Sequence, residues 1–196
     1  MWIESVTLTG QRSQLVPMTL ADTKELFEIS RDPTIWQFLP VRQPETAEDM
    51  AAIVRAAIGR LDAGLELPFV IRDQMTGRLV GSTRMYDFSQ ANRQLEIGWT
   101  WLTPSVWRTR INSECKYLLL RHCFETLNTE RVQVKTDSRN LRSQTAIARL
   151  GAVYEGTLRR HKILHDGWIR DTVVFSVVRP EWPDVKTRLE GFLQGP

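Results

Sequence analysis

Residues 96–127, EIGWTWLTPSVWRTRINSECKYLLLRHCFETL, hold most of the side chains whose types and spacing suit chemistry. Leu95, Ile97, Trp99 and Trp101 alternate with Glu96, Gly98 and Thr100 at the period of a strand, which puts Glu96 opposite the apolar set. A carboxylate there could act as a general base. It could equally be a half-exposed strand glutamate paired with an arginine. After Pro104, the run from Trp107 to Asn112 has no period, and Asn112 or Ser113 offers a side-chain oxygen to cap a leucine-rich helix. A helix start presents unpaired N–H groups and the positive end of its dipole, which suits an anion. Arg108, Arg110 and Lys116 strengthen that reading; the plainer one is a strand-to-helix connection with solvated arginines. Cys115 and Cys123 stand eight apart on the same helix, about 12 Å at 1.5 Å per residue, too far to pair. They read as packed free thiols with no neighbour to activate them. His122, His161 and His165 lack metal-ligand spacing with these cysteines, so no metal is expected.

The elements that position these residues follow from the pattern of the chain. Residues 5–17 contain two short strand-like pieces. A helix capped by Thr19 or Asp22 ends before Asp32–Pro33, and a loop with Trp36, Phe38 and Leu39 follows. Thr46 and Asp49 form a capping pair that opens a second helix, stopping near Gly64. Residues 68–72 and 78–88 are strands around a Met75–Thr76–Gly77 turn, and with the Glu96 strand they make an antiparallel meander. Helix 113–127, strand 131–136, a helix from Asp137 to Gly151, a hairpin 153–178 and a terminal helix from Glu181 complete the chain. The helix between the Glu96 strand and strand 131–136 makes those two strands parallel neighbours. The class is therefore α/β (α+β): a mixed, mostly antiparallel sheet of about seven strands, flanked by helices on both faces, in one domain over residues 1–196. Sites in such sheets lie where neighbouring strands part at their carboxyl ends.

With 42% hydrophobic residues over 196, the chain can bury a substantial core. A charge of +3 and a pI near 9.1 suit a polyanionic ligand but are too weak for nucleic acid. No apolar run approaches the roughly 18 residues of a membrane helix. The start MWIESVTLTG lacks the basic and apolar regions of a signal peptide, so a cytoplasmic protein is expected.

The order of elements, with EIGWTWLTPSVW, the capped helix after it, and Asn140–Ser143 running into Arg149–Ala152, resembles the GNAT superfamily of acyl-CoA-dependent N-acetyltransferases. It is most like the RimJ/RimL branch of ribosomal-protein N-terminal acetyltransferases. The likeness extends from Leu15–Asp22 to Arg170–Asp171. It implies acetyl-CoA as co-substrate, its pyrophosphate on the backbone of Arg108, Thr109, Arg110, Ile111, Asn112, Ser113 and Glu114. The pantetheine would lie between the parting strands beside Trp99, Thr100, Trp101 and Leu102, with Asn140 touching the cofactor arm or fixing a strand end. Glu96 would be the base, and Ser143, in an Asn-x-x-Ser pattern, the proton donor to the leaving sulfur. Trp36 and Phe38, with Leu39, fall where the family builds its acceptor wall. Lys162 stands where the branch can carry a glutamate, and His161 beside it could replace that group.

Two departures stand out. The family's loop glycines are replaced by Arg110 and Asn112, and Ile147 replaces a common tyrosine. A non-glycine residue at positive φ costs about 1–2 kcal/mol. The loop therefore takes another path or Asn112 tolerates it, and Arg110 could pair a phosphate. The implied activity is direct acetyl transfer to a protein N-terminal or small-molecule amine, in a chain that could pair as a homodimer through its closing hairpin. The alternative is a non-catalytic acyl-CoA-binding module with the same fold.

Overall fold

The structure, a computed structural model, describes residues 4–194. Met1–Ile3 and Gly195–Pro196, which the signal-peptide reading and the domain bounds include, lie outside the described residues. The elements are β1 (Leu8–Thr9), β2 (Ser13–Pro17), α1 (Thr23–Ile29), α2 (Ala47–Asp62), β3 (Glu66–Asp73), β4 (Leu79–Ser89) and β5 (Gln94–Leu102). Then come α3 (Ile111–Arg121, prolonged by a wider π turn over His122–Thr126), β6 (Arg131–Asp137), α4 (Leu141–Leu150), β7 (Val153–Ile163), β8 (Ile169–Val178) and α5 (Trp182–Gln194). The strands form one eight-stranded sheet in the order β1-β2-β3-β4-β5-β6-β8-β7. That exceeds the expected count of about seven, because the two-residue β1 also pairs. No helix among the described residues is long and apolar enough to cross a membrane.

Local chemistry sets the element ends. Thr46 and Asp49 satisfy each other's backbone N–H groups at the start of α2. Gly151, at φ 101°, stops α4 in a conformation that a side chain would oppose. Two apolar layers sandwich the sheet. One lies under α1 and α2 and contains Leu26, Trp36, Met50, Val54 and Val70. The other lies under α3 and α5 and contains Phe69, Met85, Ile97, Ile111, Leu118 and Leu189.

Only the β5–β6 pair is parallel among the described strands, and its ladder joins Gln94–Glu96 to Arg131–Gln133 before the strands part. On its other edge β5 carries a bulge. The β4–β5 register jumps from Arg84↔Gly98 to Ser82↔Trp101, so Trp99 and Thr100 together oppose Thr83. Trp99 takes φ 53°, a costly conformation for an aromatic residue. The alternation expected from the sequence consequently holds only as far as Gly98. Trp99 and Trp101 lie on the α2 side with Ser82 and Arg84. Thr100 swings to the α3 side, where its hydroxyl lies 2.7 Å from that of Thr83.

Two ionisable residues bind α3 to the sheet. Glu114 is buried, and its carboxylate accepts from the amides of Gln11 (2.6 Å), Arg12 (3.0 Å) and Ser13 (2.5 Å) and from the Ser13 hydroxyl (2.6 Å). The β1–β2 turn thus wraps an internal anion. Gly10 makes that approach possible, since a Cβ there would lie 2.5 Å from Glu114 Cδ. Two residues on, Lys116 is also buried and donates to Thr100 Oγ1 at 2.7 Å. Burial pushes its ammonium down to about 8.

Glu114→Ala strands several turn donors and is expected to cost roughly 2–4 kcal/mol in urea unfolding. Gly10→Ala should also destabilise, and the double variant should lose less than the sum of the two, because the clash disappears with the carboxylate. Additive losses would refute this coupling. For Lys116 the folded value lies below that of an unfolded lysine, about 10.4. Between these values the unfolded chain holds more protons, so this group's contribution to stability rises with pH and is most unfavourable below about pH 8. The wild-type stability relative to Lys116→Met should therefore climb by on the order of 3 kcal/mol from pH 8 to 10.5. A flat difference in denaturation across that range would contradict it.

Candidate active site

Glu96 sits at the apex where β5 and β6 part, only 3% exposed. Tyr86 Oη donates to one carboxylate oxygen, while Lys135 Nζ (2.8 Å) and Gln133 Nε2 (3.3 Å) approach the other. Tyr86 is its register partner on β4 and Gln133 its partner on β6, and Lys135 follows two residues along the same strand face. Three of roughly four acceptor directions on the carboxylate are thereby taken. The partner is a lysine rather than an arginine, and the glutamate is buried rather than half-exposed. Gly98 leaves room for the phenol, because a Cβ there would lie 2.7 Å from Tyr86 Oη. Burial, and then the charge of Glu96, raise Tyr86 above the ordinary tyrosine range, so it stays a protonated donor.

The helix start differs in detail from expectation. α3 begins at Ile111, so Asn112 and Ser113 lie inside its first turn and do not cap it; Arg110 precedes it without a side-chain cap. The positive φ falls on Arg108, at 62°, and not on Arg110 or Asn112. Because the loop turns tightly earlier, those two positions need no glycine. The Arg110 guanidinium donates to the Leu193 carbonyl at 3.0 Å, and Thr109 Oγ1 donates to the Val106 carbonyl at 2.7 Å. Ile111 is wholly buried. No acceptor among the described residues reaches the amides of Asn112 or Ser113. The side chains of Glu114 and Lys116 turn into the core and add nothing to this opening. Trp107 Nε1 donates to the Leu102 carbonyl at 2.8 Å, and the Arg142 guanidinium lies 3.9 Å from the Trp107 ring, tying this loop to the start of α4.

At α4, Asn140 Oδ1 accepts from the Ser143 amide at 3.0 Å, a helix cap. The Ser143 hydroxyl has no partner among the described residues. On the α1–α2 side an apolar cleft of about 370 Å³, open mouth included, is lined by Met18, Trp36, Leu39, Met50, Trp99 and Trp101, with Ser82 and Arg84 as its polar groups. Trp36 belongs both to this wall and to the core: its indole donates to the Ser30 carbonyl at 2.8 Å and its ring lies 5.9 Å from that of Trp101. Arg84 covers the Trp99 ring at 4.2 Å and pairs with Glu66 at 2.8 Å. Phe38, expected in the acceptor wall, lies outside the cleft. Its ring faces Arg139 at 5.6 Å, and the same guanidinium lies 4.4 Å from Trp168 while holding Asp137. His161 is exposed, with Nδ1 3.0 Å from Thr172 Oγ1. Desolvation and the neighbouring cations Lys162, Lys135 and Arg170 lower it, which leaves the ring neutral at neutral pH.

Tyr86, Gln133, Lys135, Arg84 and Arg170 escape a reading of the sequence, since only strand register brings them together. Both cysteines are buried, and burial pushes the Cys115 thiol up to about 12 and raises that of Cys123 as well, which removes a thiolate nucleophile. Among the described residues no three His, Cys, Asp or Glu side chains gather as a metal site.

The family described as acetyltransferase (GNAT) domain matches residues 12–153. The chain is 26% identical over 182 residues to the uncharacterized N-acetyltransferase p20 of Bacillus licheniformis, which covers 90% of this chain and 98% of that one. A crystal structure of a provisionally assigned acetyltransferase from T. thermophilus superposes with a TM-score of 0.90 at 38% identity, over 98% of this chain and all of the other. RimJ of Mycobacterium smegmatis, in complex with CoA-disulfide, shares the fold at 22% identity, with a TM-score of 0.83 over 95% of this chain and 94% of that one. A family match over most of the length, together with relatives that align end to end, makes this chain a member of the GNAT acetyltransferase family.

Proposed function

We propose that residues 1–196 form one acyltransferase domain that moves an acetyl group from acetyl-CoA to a primary amine, of a protein N-terminus or a small molecule, by direct attack. The observation that carries this reading is the parting of β5 from β6 after Glu96, beside unpaired amides at the start of α3. Acetyl-CoA supplies the acetyl group as a thioester. The chain's residues fit it: the amides of Asn112 and Ser113, with the exposed Arg108, suit a diphosphate. The edge of β5 from Trp99 to Leu102 that has lost its β6 partner offers backbone groups to a pantetheine arm. The CoA-disulfide in the M. smegmatis neighbour supports the same choice of ligand.

In this reading Glu96 receives the proton released as the amine nitrogen bonds to the acetyl carbon. Ser143 Oγ, which nothing in the chain engages, delivers a proton to the sulfur as the carbon–sulfur bond breaks. Backbone N–H groups near Trp99 and Thr100 stabilise charge on the carbonyl oxygen. Asn140 acts by positioning Ser143, Trp36 walls the acceptor, and His161 is a neutral base near the rim. An α-amine titrates near ~8, so on the order of a tenth is neutral at pH 7; for a lysine near ~10.4 the fraction is below about one in a thousand. A carboxylate with one open acceptor direction therefore suffices for an α-amine but helps a lysine little.

Release of free thiol from acetyl-CoA, measured with N-terminal peptides and polyamines, tests this reading. Transfer to at least one α-amine is expected, with Glu96→Gln and Ser143→Ala each lowering kcat/KM by at least about tenfold, ~1.4 kcal/mol. Coenzyme A binding without transfer to any amine would favour a non-catalytic module. Unchanged rates in both variants would overturn the two residue assignments.

A further inference from the structure

Resting on the transfer reading above, we infer that the amine acceptor also carries a carboxylate, and that Arg170 with Lys162 receives it. Arg170, on β8, is 8% exposed; its Nε is buried without a hydrogen-bond partner, and its guanidinium makes no ion pair with any described residue. Its charge bears on Asp137, Tyr86 and Glu96, so it faces the apex where β5 and β6 part. Both carboxylates there are already committed. Asp137 takes Arg139 Nε (3.0 Å), Nη2 (2.7 Å) and backbone N–H (2.9 Å). Glu96 takes Tyr86, Lys135 and Gln133. Lys162 is the register partner of Arg170 across the β7–β8 ladder and likewise has no acidic partner among the described residues. Burial and the neighbouring Arg170 lower its ammonium.

Of the four basic side chains Lys135, Arg139, Lys162 and Arg170, only the first two pair directly with a carboxylate, Glu96 and Asp137; Asp87 acts on Lys162 without an ion pair. A desolvated guanidinium without a directly paired carboxylate is unfavourable, and an incoming anion relieves it. The planar fork of an arginine matches the two oxygens of a carboxylate. The helix start assigned to the diphosphate follows the far end of β5, whereas Arg170 shares the apex with Tyr86 and Glu96. An anion bound there accordingly belongs to the molecule that brings its nitrogen to Glu96. The shared chemistry is an amine bearing a nearby carboxylate. Its source is either the α-carboxylate of a free amino acid or the acidic side chain at a peptide's N-terminus.

Two matched sets separate these sources: alanine against alaninamide, and C-terminally amidated peptides beginning Asp against Asn. In one set the acid is expected to exceed its amide at least about tenfold in kcat/KM. That ratio should fall toward one in Arg170→Gln, shrink in Lys162→Gln and partly return in Arg170→Lys, with coenzyme A affinity unchanged throughout. Calorimetric binding of the N-acetylated forms of the same four compounds to the coenzyme A-loaded protein reads the preference without turnover. Acid-selective binding that depends on Arg170 but brings no transfer would sink the transfer reading and keep this one. Lys162→Gln, on an exposed strand, decides the matter should Arg170→Gln fail to fold. Equal handling of acid and amide in both sets, or a preference that survives both glutamine substitutions, overturns the proposal.

Discussion

Everything at this site depends on how β5 loses its neighbours. A central strand must pair its backbone groups on both edges or leave them to another partner. After Glu96 β5 loses β6 on one side, and the bulge at Trp99 and Thr100 interrupts β4 on the other, beyond an earlier irregularity opposite Leu95. The strained φ of Trp99 persists because Arg84 covers its ring and the cleft encloses it. The same kink turns two tryptophans toward the cleft on the α1–α2 side and sends Thr100 down to Lys116. One extra residue in one strand thus assigns opposite faces of the sheet to the tryptophan-lined cleft and to anchoring α3.

The apex follows from that geometry. Tyr86 reaches Glu96 over a glycine, and Lys135 reaches it from a strand that pairs with β5 for only three residues. Were the parallel ladder longer, Lys135 would be bound into a flat sheet face and the apex would close. The site is therefore a place where a buried carboxylate and its donors gather at the point where two strands part, an arrangement that suits acid–base chemistry.

Much of this architecture was legible in the sequence, and the illegible part has identifiable causes. The Thr46–Asp49 box, the Gly151 stop of α4, and the helix that makes β5 and β6 parallel all follow from local chemistry and connectivity, whereas α4, expected from Asp137, starts at Leu141 with Asn140 as its cap. The faces of Trp99 and Thr100 did not, because a bulge breaks the period of two and no residue type announces a tryptophan at positive φ. Asn112 and Ser113 looked like caps, yet the loop had already turned at Arg108 and left them inside the helix. Lys116 looked like an anion ligand and is a core residue, since helical spacing alone does not say which way a side chain near a sheet will turn. Tyr86, Lys135 and Arg170 come together through register between strands far apart in the chain, information that no window of sequence contains.

The Glu114 carboxylate inside the β1–β2 turn bears on the order in which the molecule can be made. Its contacts join residues 101 to 103 positions apart, so the amides of the β1–β2 turn stay hydrated until α3 has been synthesised and can deliver its carboxylate. Closing so long a loop is entropically costly. The β1–β2 edge of the sheet is therefore set late in folding, by the same helix whose first turn presents unpaired amides.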